Sequence, residues 1–186
     1  MRPLPCLIAL ACLATAALPA RAEIEPVLRI CDGGLCGPTY RAKVTPPEGW
    51  VEDRKAGEAE GITVLVPRGE TAGSAEVSIF VEAAPLAAGS SLDKAMREQI
   101  AAWRKRDPST TLSPVGAVER RGDMPPFRLH RFDDSGAEEP SVGQVAWGLD
   151  RDRAGKTYLV VVNLTAKGKR LDPAAAAALG ALLRGW

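Results

Sequence analysis

Tyr158-Leu159-Val160-Val161-Val162 forms a continuous apolar run with no polar alternation in it. A strand that is apolar on both sides must be covered on both sides, so this run predicts a central strand with helices or loops over each face. The rest of the chain supplies neighbours for it. Val27 to Cys31 and Thr39 to Val44 read as short strands, and Ile62 to Val66 is a β-branched run stopped by Pro67. Ala75, Val77, Ile79 and Val81 alternate with more polar partners, as do Val145, Trp147 and Leu149. Val115 to Arg121 and Phe127 to Asp133 complete the set. Period-two alternation marks half-buried strands, and tight loops between consecutive ones predict antiparallel neighbours.

Two segments change period. Leu92, Met96, Ile100 and Trp103 recur at i, i+4, i+8 and i+11, one apolar stripe on a helix. Ser90 with Asp93 reads as its capping pair, Arg104-Lys105-Arg106 complement the dipole at its end, and Asp107-Pro108 stops it. Near the C-terminus Asp172 is a good N-cap, with Pro173 at the first helical position. Leu179, Leu182, Leu183 and Trp186 line one face there, while Ala174 to Ala178 and Gly180 allow close approach to a sheet. The expected architecture is α+β, a mostly antiparallel sheet of about six to eight strands flanked by two principal helices.

The N-terminus bears on compartment. Arg2, an apolar run from Leu4 to Leu18 and Ala20-Arg21-Ala22 follow the order of a secretory signal cleaved after Ala22. The run is too short for a comfortable membrane span. Ala9-Leu10-Ala11-Cys12 is a rival, a faint lipoprotein box that would lipidate Cys12. Cleavage predicts three segments: a signal peptide over 1–22, an N-terminal arm over 23–46 and one α/β domain over 47–186. The precursor holds 24 Lys and Arg against 23 Asp and Glu, and loss of Arg2 and Arg21 leaves one more acid than base. Near neutrality excludes a global attraction to nucleic acid or anionic lipid. No second apolar run reaches membrane length. The expectation is a periplasmic, soluble, single-domain protein.

Cys31 and Cys36 remain after cleavage, separated by Asp32-Gly33-Gly34-Leu35. In an oxidising compartment such a pair predicts a disulfide across a hairpin turn, worth about 2 kcal/mol on the chain-entropy model. A redox pair is the sharper alternative, though redox motifs space their cysteines by two at a helix start. A metal site would need more ligands than one His and two Cys supply.

His130 is the one histidine, flanked by Arg128 and Arg131, and as a potential general base it is the first candidate for catalysis. The flanking arginines disfavour its protonation, no nucleophile motif stands near it in the sequence, and it reads as a surface or packing histidine. Asp133-Asp134 with Glu138-Glu139 gather four carboxylates around Ser135-Gly136, a composition that can hold calcium or work as acid and base. The segment lies between two strands, however, and reads as a solvated turn. Asp150-Arg151-Asp152-Arg153 holds a fragment of a calcium loop without its further ligands. Arg120-Arg121 and Arg104-Lys105-Arg106 are too short for a nucleic-acid stripe and read as solvated faces. No phosphate-binding glycine spacing occurs. These readings predict no catalytic, metal or cofactor residues.

Pro47-Glu48-Gly49-Trp50, two strands, an amphipathic helix opening with Ser91-Leu92, a strand meander and a closing helix follow one another in an order that resembles the PsbP-like (DcrB-like) superfamily. The resemblance runs from Tyr40 to Trp186 and lies in element order and a few aromatic positions. It implies a three-layer α/β/α sandwich and relatives that bind or assist other proteins. No site residue carries over, and the Cys31–Cys36 hairpin falls outside the pattern. The leading expectation is therefore a non-catalytic exported domain that binds an envelope protein, with Trp50 on the interaction surface. A small-ligand carrier or sensor domain is the first alternative. A hydrolase using His130 or the Asp133–Glu139 carboxylates is the second.

Overall fold

The computed structural model describes residues 23–31, 34–120, 123–134, 139–168 and 170–186, and for 28–38 it describes backbone alone. Residues 1–22, with Cys12 and the expected signal, the side chains of Cys31 and Cys36, Arg121 and residues 135–138 lie outside that description.

The chain is α+β. Its strands are β1 (Glu23–Cys31), β2 (Gly34–Lys43), β3 (Trp50–Glu52), β4 (Thr63–Pro67), β5 (Val77–Pro85), β6 (Thr111–Val118), β7 (Phe127–Asp134), β8 (Ser141–Arg151) and β9 (Thr157–Lys167). The helices are α1 (Arg54–Glu60), α2 (Leu92–Arg106) and α3 (Pro173–Gly185). One sheet takes the order β1-β2-β5-β9-β8-β7-β6, with β4 also paired to β5 and β3 to β4. Every pairing is antiparallel.

β9 lies between β5 and β8, in the centre, as its unbroken apolar run requires. Its even residues Tyr158, Val160, Val162 and Leu164 face α3 and meet Leu179, Leu182 and Leu183. Leu159 and Val161 face the other way, onto Leu92, Ala95 and Trp103 of α2. Beyond α2 on that second face, α1 and its loop cover Val64 and Val66 of β4. The sheet is thus sandwiched between α3 on one side and α1 and α2 on the other. Burying each of Leu179 and Leu183, both fully enclosed, contributes about 1.5–3 kcal/mol.

Two glycines of β8 let the sheet receive large rings. A Cβ on Gly148 would overlap the Phe127 ring, and one on Gly143 would overlap the Phe132 ring and the Leu164 carbonyl. Their missing side chains seat one phenylalanine of β7 on each face of the sheet.

Several boundaries differ from the sequence expectation. α2 is capped by Ser91, whose hydroxyl accepts from Lys94 N–H at 3.2 Å, rather than by Ser90. β6 starts and ends earlier than the expected 115–121, because Pro114, which cannot donate to a ladder, sits on an edge strand where it need not. A bulge between Pro114 and Gly116 absorbs the register shift. β3 and α1 were not expected. Asp53 caps α1 and Gly61 ends it in the left-handed region at φ 70°, but seven residues are too few to display a periodic stripe. The β1–β2 hairpin joins the sheet through Tyr40 opposite Ala83 and places Ile24 and Ala42 in the core.

Candidate functional site

Trp50 enters at the edge of the sheet. Gly49, at φ 79°, turns the chain so that Trp50 N–H donates to Pro47 C=O at 3.0 Å, and Arg68 N–H ties the turn down on Gly49 C=O at 2.8 Å. Trp50 then pairs with Pro67. Its ring is half-buried against the α3 side of the core. Between it and α3 runs a trough of about 410 Å³, with Pro47, Trp50, Pro67 and Val77 along one wall and the alanines of α3 along the other. Its charged lining groups are Glu48 and Asp172. At Pro47 and Ala181 the trough continues into a second hollow of about 200 Å³, which ends at Gly185 and Trp186.

The α3 wall is apolar well past the part that meets the core. Ala175, Leu179, Leu182 and Leu183 are buried, whereas Pro173, Ala174, Ala177 and Ala181 are exposed. A surface helix ordinarily turns charged residues to solvent on that side. Here the first charge along the helix is Arg184, in the last turn.

His130 stands on β7, on the face toward α2, with its ring edge-on to Trp147 at 5.1 Å. Trp147 itself donates to Gln99 Oε1 at 2.8 Å. Burial pushes the His130 pKa down, so the cause lies in the packing rather than in the flanking arginines. Arg128 faces Asp93 at 4.0 Å and Arg131 faces Asp133 at 4.0 Å. His130 Nδ1 is buried with no hydrogen-bond partner among the described residues.

The carboxylates do not gather around His130. Strand alternation puts Asp133 on the opposite face of β7. Asp134 shares the face of His130, but Phe132 stands between them, and its Oδ1 accepts from Ser109 Oγ at 3.0 Å. The same hydroxyl donates to Asp107 Oδ1 at 2.8 Å, so these groups close the turn after α2. Glu139 is exposed, and Glu138 lies outside the described residues. Among the described residues no cluster of three His, Cys, Asp or Glu is placed to hold a metal ion.

The Asp150–Asp152 fragment divides into two structural roles. Asp150 is fully buried on the α3 face, accepting from Trp186 Nε1 at 2.6 Å and Arg151 N–H at 2.7 Å. Arg120 comes within 3.8 Å of it, donates to Leu149 C=O and lies over the Phe127 ring at 4.7 Å. The side chain of Arg120 is 3% exposed, so the expected solvated face at this position is corrected. A single arginine in a loop carries no sequence signal of its partner across the sheet. Asp152, in contrast, closes a turn by accepting from Ala154 N–H and Lys156 N–H and from Tyr158 Oη at 3.0 Å. Desolvation and that carboxylate push the Tyr158 hydroxyl up to about 12.

Another groove, of about 320 Å³, opens where β2 and β4 part along the edge of β5, lined by Tyr40, Glu60, Ile62 and Glu82. Glu82 is exposed by area, yet crowding at the sheet raises its pKa by desolvation, with Arg106 partly offsetting the rise. No helix among the described residues is long and apolar enough to cross a membrane.

No protein-family model matches the chain, and no curated protein matches it. Among solved structures, a point mutant of the protein Mog1 is similar, with a TM-score of 0.46 and 16% identity over 87% of this chain and 91% of that one. A likeness that distant carries no functional content.

Proposed function

We propose that this chain is a non-catalytic, exported envelope protein with a PsbP-like domain, acting by docking another protein chain in the trough beside α3. The observation that carries the reading is the trough itself, apolar on both walls and continuous from Trp50 to Trp186. A contiguous apolar surface rimmed by a few charges is what a protein-binding site offers. Trp50 supplies the aromatic anchor, a residue type that recurs where binding energy concentrates. Export rests on the signal pattern ending at Ala22, and the periplasm is the compartment in which Cys31 and Cys36 close a disulfide.

A photo-crosslinking residue at Ala177 in the full-length protein, expressed in its own envelope, tests the docking. Adducts with a protein are expected from Ala177 and not from Arg97, which is exposed on α2 across the sheet. Equal labelling at the two positions, or no adduct at Ala177, overturns the reading. Sequencing of the recovered protein should begin at Glu23; a retained Met1 or a lipidated Cys12 removes the export assignment in this form.

A further inference from the structure

We propose that the outer face of α2 is a docking surface for an anionic phospholipid bilayer, held by electrostatic attraction alone. It lies across the sheet from the trough and is independent of what occupies that trough.

Four cations make the face. At the angular step of a helix, Lys94, Arg97, Arg104 and Lys105 fall within an arc of about 100°. All four are exposed, and Ala101 fills the middle of the arc. Leu92, Ala95, Met96, Ile100 and Trp103 point the opposite way, into the core, so the cations face outward. The carboxylates of α2 fall at the two margins: Glu98 at one, and at the other Asp93, which faces Arg128 at 4.0 Å. Arg106 is turned toward the sheet, where its charge acts on Glu82. Among the described residues none of the four cations has a carboxylate within ion-pair distance. Helix-end chemistry does not account for them all. Lys94 stands in the first turn, where a cation opposes the macrodipole, and Arg97 lies in the second, clear of either end.

The makeup of the face favours a charged surface over a protein. Protein partners concentrate their binding energy on buried aromatic or aliphatic anchors, and this arc offers only Ala101 between its charges. Anionic headgroups ask for cations that reach one plane together, and Lys94 to Lys105 span about 16 Å of helix axis. The apolar side of α2 is taken up by the core, so the helix rests on the headgroups without sinking between the acyl chains. Such adsorption is reversible and screened by salt. Because the net charge of the chain is near zero, an attraction carried by one face also orients the molecule. The trough beside α3 then points away from the membrane.

Flotation of the purified protein with lipid vesicles tests this. Phosphatidylcholine vesicles with about one-third phosphatidylglycerol are expected to carry the protein at about 0.05 M salt and release it at about 0.5 M. Phosphatidylcholine alone should carry none. Each cation at an anionic surface is worth about fivefold, so Arg97→Gln with Lys105→Gln should weaken binding about 25-fold with an unchanged circular dichroism spectrum. Arg184→Gln removes an exposed cation from α3, across the sheet, and should leave binding as it was. No flotation with the anionic vesicles at low salt, equal flotation with both kinds, or equal losses from the α2 and α3 variants overturns the inference. A protein adduct from a photo-crosslinking residue at Arg97 also overturns it and assigns the face to a protein partner.

Discussion

Among the described residues Asp150 is fully buried and the Arg120 side chain nearly so, and each helps to hold the other. Trp186 Nε1–H, Arg151 N–H and the Arg120 guanidinium surround the Asp150 carboxylate at a site with no exposed surface. Removing one partner of a buried pair leaves the other's desolvation uncompensated, which costs more than the intact pair contributes. Arg120→Met is therefore expected to lower unfolding stability by about 3 kcal/mol, read from urea denaturation. Adding Asp150→Leu in the same chain should recover part of that loss. A single-variant change below about 0.5 kcal/mol, the size of an ordinary surface substitution, would show that the pair is solvated. His130 is enclosed by a group that lies far from it in the chain. Its type and its arginine neighbours were visible in sequence, whereas the Trp147 ring that encloses it comes from another strand.

At the scale of elements, α3 presents two unlike faces. Leu179 is fully buried against the centre of the sheet, and Ala177, two residues earlier, is exposed. Leu179→Ala is expected to cost about 2–5 kcal/mol by leaving a cavity that the rigid sheet cannot close. Ala177→Glu should stay within about 0.5 kcal/mol of the wild type. Chemical denaturation of the two variants side by side checks this, and equal losses would mean that both helix faces are packed. The helix itself was legible in advance, because Asp172, Pro173 and the leucine spacing all point the same way. α1 was not, since Asp53 and Gly61 bracket a segment too short for periodicity to show.

For the whole molecule, the question is how firmly the N-terminal hairpin is bound to the rest. β2 meets β5 at Tyr40 and Ala83, and Ile24 and Ala42 enter the main core, so the hairpin is part of the sheet. Arg41 and Lys43 also bind Glu25 across its ladder, at 2.7 and 2.5 Å. With a disulfide between Cys31 and Cys36, reduction should lower global stability by about 2 kcal/mol and raise the mass by two hydrogens. Identical masses before and after dithiothreitol would show that the thiols were never joined.

The sequence alone determined that a sheet forms, which strand lies at its centre and which two helices cover it. Those outcomes follow from apolar periodicity and capping chemistry, both of which act between near neighbours in the chain. Only the tertiary structure decided that Arg120 is buried, that Asp150 meets Trp186, that the D-x-D pair splits, and that Pro47, Trp50 and α3 enclose a trough. Each of these joins groups tens of residues apart, and no local pattern records which distant side chain will supply a buried charge with its partner or a groove with its second wall.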